Sequence, residues 1–198
     1  SKLIAGVDHS FNHLNDIKLG ANGEENSTIS NQTVNTLGSF LQYELQFSFL
    51  KLSAGVRYDN YQITDNELEH APLNGNVVIP RAKVLFNIFD NLQFRTSYAK
   101  GYRTHQIFDK YLHIETSGVR RIIHQNDPNL KQETSDSYSA SLIFDNIFGT
   151  NMPVQFEFIA EGFYTKLHNP FVNELSDEDE FGNVVYLRQN ATSGAMVY

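Results

Sequence analysis

The sequence predicts an all-β protein: an antiparallel up-and-down meander that forms a segment of a transmembrane β-barrel, with about eight or nine strands present. Three observations predict this class. Apolar and polar residues alternate with a period of two, which is typical of strands with one apolar and one polar face. The alternating stretches run for roughly ten to thirteen residues, close to the length of a tilted strand that crosses a hydrocarbon core. The connections between them alternate between short and long, as in outer-membrane barrels.

The first half of the chain contains the most regular strands. Strand rhythm begins within Leu3–Phe11 and returns in two strands that run from Leu37 to Phe47 and from Leu50 to Asp59. In these two strands the apolar face carries Leu37, Leu41, Tyr43, Leu45, Leu52, Val56 and Tyr58, and the polar face carries Gln42, Glu44, Lys51, Ser53, Arg57 and Asp59.

The second half continues the pattern in four more strands, near residues 81–88, 92–103, 137–144 and 154–165, and a last strand lies within Val184–Tyr198. Three apolar residues, Ile143, Ile159 and Phe163, interrupt the polar face. The remaining apolar positions are Ala82, Val84, Phe86, Phe94, Tyr98, Tyr102, Leu142, Phe156 and Phe158, and the charged polar-face positions are Arg81, Lys83, Arg95, Arg103, Glu157 and Glu161.

The connections fall into two classes that alternate along the chain. Short turns are expected near Phe47–Phe49, Phe89–Asn91 and Asn146–Met152. Long loops are expected at Asn12–Gln32, Gln62–Val78, Thr104–Glu133 and Asn169–Asn183, with one turn of helix at Ile107–Ile114. Because the two classes alternate, every long loop lies at the same end of the sheet, which is the arrangement of barrels with short periplasmic turns and long external loops.

The composition is compatible with a barrel and excludes several other classes. A chain of 198 residues predicts one domain. Its hydrophobic content of 40% and mean hydropathy of −0.38 are too low for a helical membrane protein, but half of each barrel strand faces a wet interior. Ten Tyr and fifteen Phe can supply the aromatic belts of membrane interfaces. The absence of cysteine excludes disulfides, and a net charge of −8 argues against nucleic acid.

Two segments of the second half resemble the TonB-dependent receptors. Phe94–Arg103 reads FRTSYAKGYR, and Asn126–Tyr138 reads NDPNLKQETSDSY. Receptors of this family share an aromatic strand that ends in Gly-(Phe/Tyr)-Arg-Ala-Pro, followed after a loop by Asn-Pro-x-Leu-Lys-Pro-Glu-x-Ser. Upstream, Gly55–Asp59 is similar to their Gly-x-Arg-Tyr-Asp strand. The sequence departs from the pattern at Thr104–His105 in place of Ala-Pro, at the inserted Asp127, and at Gln132 in place of the second Pro.

The resemblance implies an outer-membrane barrel of about 22 strands, plugged by an N-terminal domain and energised through TonB. Residues 1–198 would form part of that barrel domain, without the plug. The implied function is TonB-dependent uptake of a scarce ligand in the outer membrane of a Gram-negative bacterium, most simply a ferric siderophore or a similar chelate. Corrinoids and glycans remain open as ligands, because the loops that choose them resist interpretation.

The sequence begins without a signal segment and ends in strand rhythm, which predicts a piece of a longer barrel. Such a piece would leave two open edges, one near Leu3–Phe11 and one at the last strand near Val184–Tyr198. Open edges and a bare apolar face invite association, so we expect the isolated piece to self-associate.

Candidate ligand-binding residues lie at the barrel mouth, where cationic and aromatic groups suit an anionic, planar chelate. An equally good interpretation is that the aromatic members only pack the loop onto its neighbours. The polar-face cations form a second feature, either a basic path for an anionic ligand or partners of nearby acids and of the plug. The candidate mouth residues are Arg103, His105, Phe108, Tyr111, His113, Arg120 and Arg121.

Other patterns predict little chemistry. His113 and His124 share a loop but have no metal-ligand spacing, and Asp177–Gly182 lacks the full oxygen set of a calcium loop. No G-x-S-x-G elbow is present, so the sequence predicts neither an enzyme nor a resident cofactor. The alternative fold is a soluble β-sandwich with a ligand-binding role, which would cover its apolar faces with a second sheet.

Overall fold

The computed structural model describes residues 1–19, 25–66, 73–104, 122–127, 129–149, 154–178 and 184–198. Within these residues the chain forms eleven strands arranged in two sheets. The strands are β1 (Lys2–Leu19), β2 (Glu25–Gln46), β3 (Leu50–Asp65), β4 (Leu73–Phe89), β5 (Leu92–Arg103), β6 (Ile122–Asn126), β7 (Glu133–Phe148), β8 (Val154–His168), β9 (Phe171–Glu178), β10 (Val184–Asn190) and β11 (Ala195–Val197).

The large sheet is the predicted meander. Its eight strands follow the order β1-β2-β3-β4-β5-β7-β8-β11, and every neighbouring pair is antiparallel. Two of its short connections fall at the predicted positions, between β2 and β3 and at Asp90–Asn91 between β4 and β5. The all-β prediction is therefore confirmed, and the large sheet is antiparallel as predicted and open within the described residues. All-antiparallel pairing does not hold for the small sheet, in which β6 and β10 pair in parallel.

Two predicted loops are largely strand. Residues 12–19 and 25–32 continue the β1–β2 ladder as far as the pair Leu19–Glu25, and β3 and β4 extend to the pair Ile63–Leu73. The loop predictions at Asn12–Gln32 and Gln62–Val78 were wrong in extent because neither face of these outer segments is consistently apolar. Hydrophobic alternation marks a strand only where one face is apolar, while the backbone ladder needs no such contrast.

The prediction of one last strand within Val184–Tyr198 beside β8 was also wrong. Residues 184–190 (β10) do not join β8 but pair with β9 and with β6 in a small sheet of order β6-β10-β9, and only β11 returns to β8. Both outer strands of this sheet come from segments predicted as loops. The antiparallel β9–β10 hairpin satisfies the backbone of residues 184–190 locally, so they need no partner in the large sheet. The predicted helical turn at Ile107–Ile114 lies outside the described residues.

The two faces of the large sheet separate as predicted. Register pairs place directly opposed residues on one face, and they connect the apolar set across the whole sheet. Ile143 faces Ile159 on the polar side, as expected. The confirmed apolar set is Leu41, Val56, Phe94, Leu142 and Phe156, and the confirmed polar set is Lys51, Arg57, Arg95 and Glu157.

The apolar face is not covered by another layer of the described chain. Leu41, Val56 and Phe156 are 48%, 43% and 51% exposed, respectively. A soluble β-sandwich would bury such a face against a second sheet. The described residues place no sheet there, so the sandwich alternative is not supported. No helix among them is long and apolar enough to span a membrane.

The upper border of the apolar face gives the tilt of the strands. On β8 the last apolar-face aromatic residue is Tyr164, and the register connects it through Tyr98 to Leu3 on β1. On β1 the apolar residues continue from Leu3 to Phe11, about 26 Å farther along the strand. The border therefore shifts by about 26 Å along the strand direction across the six strand spacings from β8 to β1, which total about 29 Å. The strands therefore incline by about 42° to the normal of this border, within the range of outer-membrane barrels.

The height of the apolar band agrees with that tilt. On β7 the band runs from Tyr138 to Phe148, about 33 Å along the strand. Projected on the border normal this is about 25 Å, the height of the lipid-facing band of a barrel. At its upper end Tyr98, Tyr138 and Tyr164 stand side by side in one register row, with ring centroids 5.1 Å and 6.2 Å apart. This tyrosine row has the position and composition of an interfacial aromatic belt.

The large sheet ends at the two predicted places. β1 is one edge strand, and β11, which lies within Val184–Tyr198, is the other, but β11 is much shorter than the strand expected there. β11 covers only Thr165–Leu167 of β8, and the remainder of β8 has no strand neighbour on that side within the described chain. The apolar residues Phe156, Phe158 and Phe163 of β8 are all more than half exposed.

We expect that a charge on the apolar face destabilises the folded receptor in a depth-dependent way. Val56→Arg lies near the middle of the apolar band and should cost about 2–4 kcal/mol, whereas Phe156→Arg, near its lower end, should cost less. Ser53→Arg places the same charge on the polar face and serves as the control. The measurement is the free energy of unfolding of the full-length receptor in lipid vesicles. Equal costs for Val56→Arg and Ser53→Arg would contradict the assignment of faces.

We also expect the isolated 198-residue chain to associate in buffer. Its apolar face and the free edges of β1 and β8 present unpaired backbone groups and bare hydrocarbon to water. Light scattering without detergent should report dimers or larger species, and an amphiphilic detergent should reduce them. A monodisperse monomer in detergent-free buffer would show that this expectation is wrong.

Candidate functional site

The polar face carries the charged residues on which a ligand-handling role depends. All six predicted cations, Lys51, Arg57, Arg81, Lys83, Arg95 and Arg103, lie on this face, on three adjacent strands, β3 to β5. They differ in how their charge is compensated. Lys51 pairs with Glu44 at 3.4 Å, while Arg57 and Arg103 have closer carboxylate partners.

Arg57 is the centre of a network that links three strands. Its Nη1 and Nη2 donate to the two carboxylate oxygens of Asp8 on β1, at 2.6 Å and 2.8 Å. Its Nε lies 2.7 Å from Oδ1 of Asp59, a carboxylate that is only 5% exposed. The hydroxyl of Tyr102 donates to the other oxygen of Asp59 at 3.0 Å. Two carboxylates thus share one guanidinium, and the buried one is compensated by a short ion pair.

Glycine makes the reach of Arg57 possible. Asp8, Gly38 and Asp59 stand opposite one another on β1, β2 and β3, so the guanidinium must pass over Gly38 to reach Asp8. A Cβ on Gly38 would collide with Nη2 of Arg57 and with Oδ1 of Asp59. Gly55 holds the same position under Arg81, whose guanidinium donates to Oε1 of Gln42 across it. Long cationic side chains lie over glycines on the neighbouring strand.

Tyr102 lies on the opposite side from its prediction. It was expected on the apolar face, but its ring stacks on Tyr61 at a centroid distance of 6.1 Å and joins the small buried cluster of Tyr61 and Ile63. The pairing of β4 with β5 ends at Arg81–Ala99, and the next residue of β4 is Pro80, which has no amide hydrogen to donate. Beyond this point β5 leaves β4 but stays paired with β7 as far as Arg103–Glu133, so the ring of Tyr102 packs against Tyr61 of β3 and not on the apolar face.

Arg81, Lys83 and Arg95 form the uncompensated cationic patch, a name kept here for these three residues. None of them makes an ion pair with a carboxylate of the described chain; Arg81 and Arg95 donate instead to the neutral amides of Gln42 and Gln93. Arg81 and Lys83 border a cavity of about 370 Å³ whose wall also includes Lys51. Of the polar-face cations, these three are the best placed to bind an external anion.

Acidic residues occupy the other part of the polar face. Asp145 on β7 faces Glu157 on β8, and Glu161 lies four residues farther along β8 on the same face. Within the described chain no cation pairs with them; Asp145 accepts only from the amide of Gln155. The polar face is therefore divided, with net positive charge on β4–β5 and net negative charge on β7–β8.

Only one of the seven predicted mouth residues can be placed. Arg103 donates from Nη2 to Oε2 of Glu133 at 3.1 Å, and its guanidinium lies 4.9 Å from the ring centroid of Phe171. The same oxygen of Glu133 accepts the backbone amide of Phe171 at 3.2 Å. Arg103 thus joins the ends of β5, β7 and β9, with half of its side chain still exposed. The other six residues, His105, Phe108, Tyr111, His113, Arg120 and Arg121, lie outside the described residues.

The segment from Asn126 to Gln132 joins the small sheet to the large one. The inserted Asp127 accepts the amide of Asn129 at 2.7 Å and donates its own amide to the carbonyl of Arg188 on β10. Gln132, which replaces a proline of the family pattern, accepts the hydroxyl of Tyr61 at 2.9 Å. Both departures from the pattern therefore make specific contacts.

Asn190 is a residue that sequence reasoning missed. Its amide nitrogen donates to the carbonyls of Lys131 and Asn169, and its Oδ1 accepts the amide of Lys131. It thereby ties β10 to both long connections. An Asn near the end of a short strand gives no sequence signal for such a role, because the partners are distant backbone groups.

The described residues contain no group of three or more acidic or histidine side chains that could hold a metal ion. The side chain of His124 and the acidic tip at residues 179–183 lie outside what the structure describes. On β4 and β5 the polar-face side chains open to a ligand are cations, amides and hydroxyls, which bind anions and polar groups.

A family model described as TonB dependent receptor-like, beta-barrel, matches residues 2–198. Among curated proteins none matches the chain in sequence. The family match covers nearly the whole chain, including both strand motifs noted in the sequence.

Solved structures with the same fold include two transporters and a hemophore receptor. The FrpB iron transporter of Neisseria meningitidis (F3-3 variant) has a TM-score of 0.59 and 17% identity over 81% of this chain and 22% of its own. The copper transporter OprC has a TM-score of 0.64 and 12% identity over 95% and 30%. The hemophore receptor HasR of Serratia marcescens, a double mutant in complex with HasA and heme, has a TM-score of 0.62 and 17% identity over 84% and 30%. The chain thus spans less than a third of each of these structures.

We expect Gly38→Ala to destabilise the folded receptor by about 1–3 kcal/mol, because the added methyl group displaces the guanidinium of Arg57 from Asp8. Gly162→Ala on β8 is the matched control, since a Cβ there meets nothing within 4 Å and should be neutral or slightly stabilising. Urea unfolding of the full-length receptor in detergent measures the difference. If the two variants are equally stable, the close packing over Gly38 is not significant.

Proposed function

The chain belongs to the TonB-dependent receptor β-barrel family, and from this premise we propose that it forms part of the wall of an outer-membrane receptor in a Gram-negative bacterium. The support from its own residues is the apolar band of about 25 Å on strands tilted by about 42°, opposite a polar face. The receptor would take up a scarce ligand in an energised step that requires TonB. TonB would act through the N-terminal plug domain that the family resemblance implies.

The ligand we propose is a ferric siderophore or a similar anionic chelate; corrinoids and glycans are the other candidates. The uncompensated cationic patch of Arg81, Lys83 and Arg95 carries this proposal, because three cations without acidic partners on a lumen-facing surface attract an anion. Iron, copper and heme occur in the names of the related structures and describe those proteins.

Capture would begin at the barrel mouth. We propose the residues predicted from sequence, Arg103, His105, Phe108, Tyr111, His113, Arg120 and Arg121, as those nearest a captured ligand. Arg103 is the member of this set with a described environment, and its guanidinium already contacts Glu133 and Phe171. Its proposed contribution is to hold the base of the loop that carries the others and to offer the exposed half of its side chain.

A transport role requires no catalytic group. The family consists of receptors and transporters, and we propose no reaction for this chain. The division of charge on the polar face fits this role, since the cationic part can guide an anion while the acidic part repels it from β7 and β8.

Uptake of anionic chelates should depend on the cationic patch. In the full-length receptor, Arg81→Gln, Lys83→Gln and Arg95→Gln together should lower uptake of a ferric siderophore by about tenfold, because the lumen loses its positive part. Glu157→Gln with Glu161→Gln removes charge from the same face and should leave uptake unchanged or raised. Growth under iron limitation and uptake of radioactive iron, measured for a panel of hydroxamate, catecholate and carboxylate siderophores, give the readout.

A second variant set separates the mouth from the lumen. Alanine at Arg103, Arg120 and Arg121 should weaken ligand binding at the cell surface, whereas the patch variant should weaken transport after binding. Surface binding is measured without cellular energy, and transport with it. If neither set alters binding or uptake of any anionic chelate, the proposed ligand class is wrong.

A further inference from the structure

The apolar face of the large sheet carries three formally charged residues among its described side chains, and all three are adjacent. Lys100 on β5, Asp136 on β7 and Lys166 on β8 occupy one register row. On β1 to β4 the described outward side chains include no Asp, Glu, Lys or Arg; beyond the apolar border they are His, Asn, Gln and Thr. The charged row is therefore a local feature of one part of the wall.

The row lies directly above the tyrosine row of Tyr98, Tyr138 and Tyr164. It is two residues farther along each strand, about 6.6 Å along the strand and about 5 Å along the border normal. The polar layer of a bilayer begins at this level and is about 5–8 Å deep on each side. The two lysines thus point outward at the height of lipid headgroups.

Asp136, the acidic residue of the row, already has two side-chain partners. Oδ1 of Asp136 accepts the hydroxyl of Tyr98 at 2.8 Å, and Oδ2 lies 2.8 Å from Nε2 of His168. Neither Lys100 nor Lys166 makes an ion pair with a described carboxylate, so Lys100 acts on Asp136 only at longer range. The hydrogen bonds hold Asp136 between the lysines and leave both ammonium groups available.

The geometry points to a binding site for a phosphate-bearing lipid headgroup at Lys100 and Lys166. Their Cα atoms are two strand spacings apart, about 10 Å, which two lysine side chains can bridge around one phosphate. The acyl chains of such a lipid would lie on the rings of Tyr138 and Tyr164, below the charged row. A soluble phosphate lacks this apolar contact, so we assign the site to a lipid of the surrounding leaflet.

This inference rests on the proposed membrane location, so lipid binding and uptake are measured separately. The full-length receptor is reconstituted in nanodiscs with equal amounts of phosphatidylglycerol and phosphatidylcholine, and the lipids that stay bound after transfer to detergent are counted by native mass spectrometry. The wild type should retain phosphatidylglycerol over phosphatidylcholine by about thirtyfold, which corresponds to about 2 kcal/mol, or about 1 kcal/mol for each of the two lysines near an anionic headgroup.

Two double variants and one competition define the outcome. K100Q/K166Q should reduce the preference to about twofold or less, while K100R/K166R should keep it. K2Q/K131Q removes the same charge away from the apolar border and should also keep it. Sodium phosphate should displace no more lipid than sodium chloride of equal ionic strength. An unchanged preference in K100Q/K166Q, or specific displacement by phosphate, would overturn the lipid site, whereas loss of uptake alone would bear on the proposed function.

Discussion

Backbone hydrogen bonding in lipid is the constraint on which this structure depends. Within a hydrocarbon layer every amide and carbonyl must be paired inside the protein, so a chain that crosses with strands needs long, unbroken ladders. The antiparallel pairs from β1 to β8 meet this demand, and β2 alone runs for 22 residues. In the proposed membrane location the apolar side chains face lipid and need not interdigitate with a second layer. This explains why the described chain buries few hydrophobic residues, among them Tyr61, Ile63 and Val77 near the external end.

On the polar face, contacts depend on long side chains that extend across a neighbouring strand more than on apolar packing. Two arginines lie over glycines of the adjacent strand, Arg57 over Gly38 and Arg81 over Gly55. Because neighbouring strands are about 4.8 Å apart, a guanidinium can pass one strand and meet a partner on the next, provided that no side chain lies between. The result is a layer of charges held close to the wall. Where a described carboxylate pairs with the cation, as for Arg57, the layer is structural. The cations of the patch have no ion pair with a described carboxylate, since Glu44, which lines the same cavity, pairs with Lys51.

The period of two was enough to predict the faces, two of the short turns and the order of β1–β5, β7 and β8 in the large sheet, because one face must be apolar for its whole height. It could not predict strand where neither face is consistently apolar, as in residues 12–19, since no contrast marks the backbone there. It placed Tyr102 on the wrong face because the β4–β5 ladder ends at Pro80 and β5 then packs against β3. It missed β6 and β9 because these short strands depend on pairing with β10 and not on an apolar face of their own. For the mouth residues, sequence chemistry gave candidates, and of these only Arg103 has a described environment.

The central claim is that one face of this sheet lies against lipid with its strands tilted by about 42°. Residues 1–198 contain no cysteine, so a single cysteine introduced among them carries the only nitroxide label in this part of the receptor. Labels at Phe11 and Tyr164 in the full-length receptor, reconstituted in vesicles, report depth through their relative collision rates with oxygen and with a polar nickel complex. Equal depths for these two sites, with a label at Leu3 about 20 Å deeper than at Phe11, are the predicted result. A label at Leu3 level with Tyr164, or free access of the nickel complex to all three sites, would contradict it.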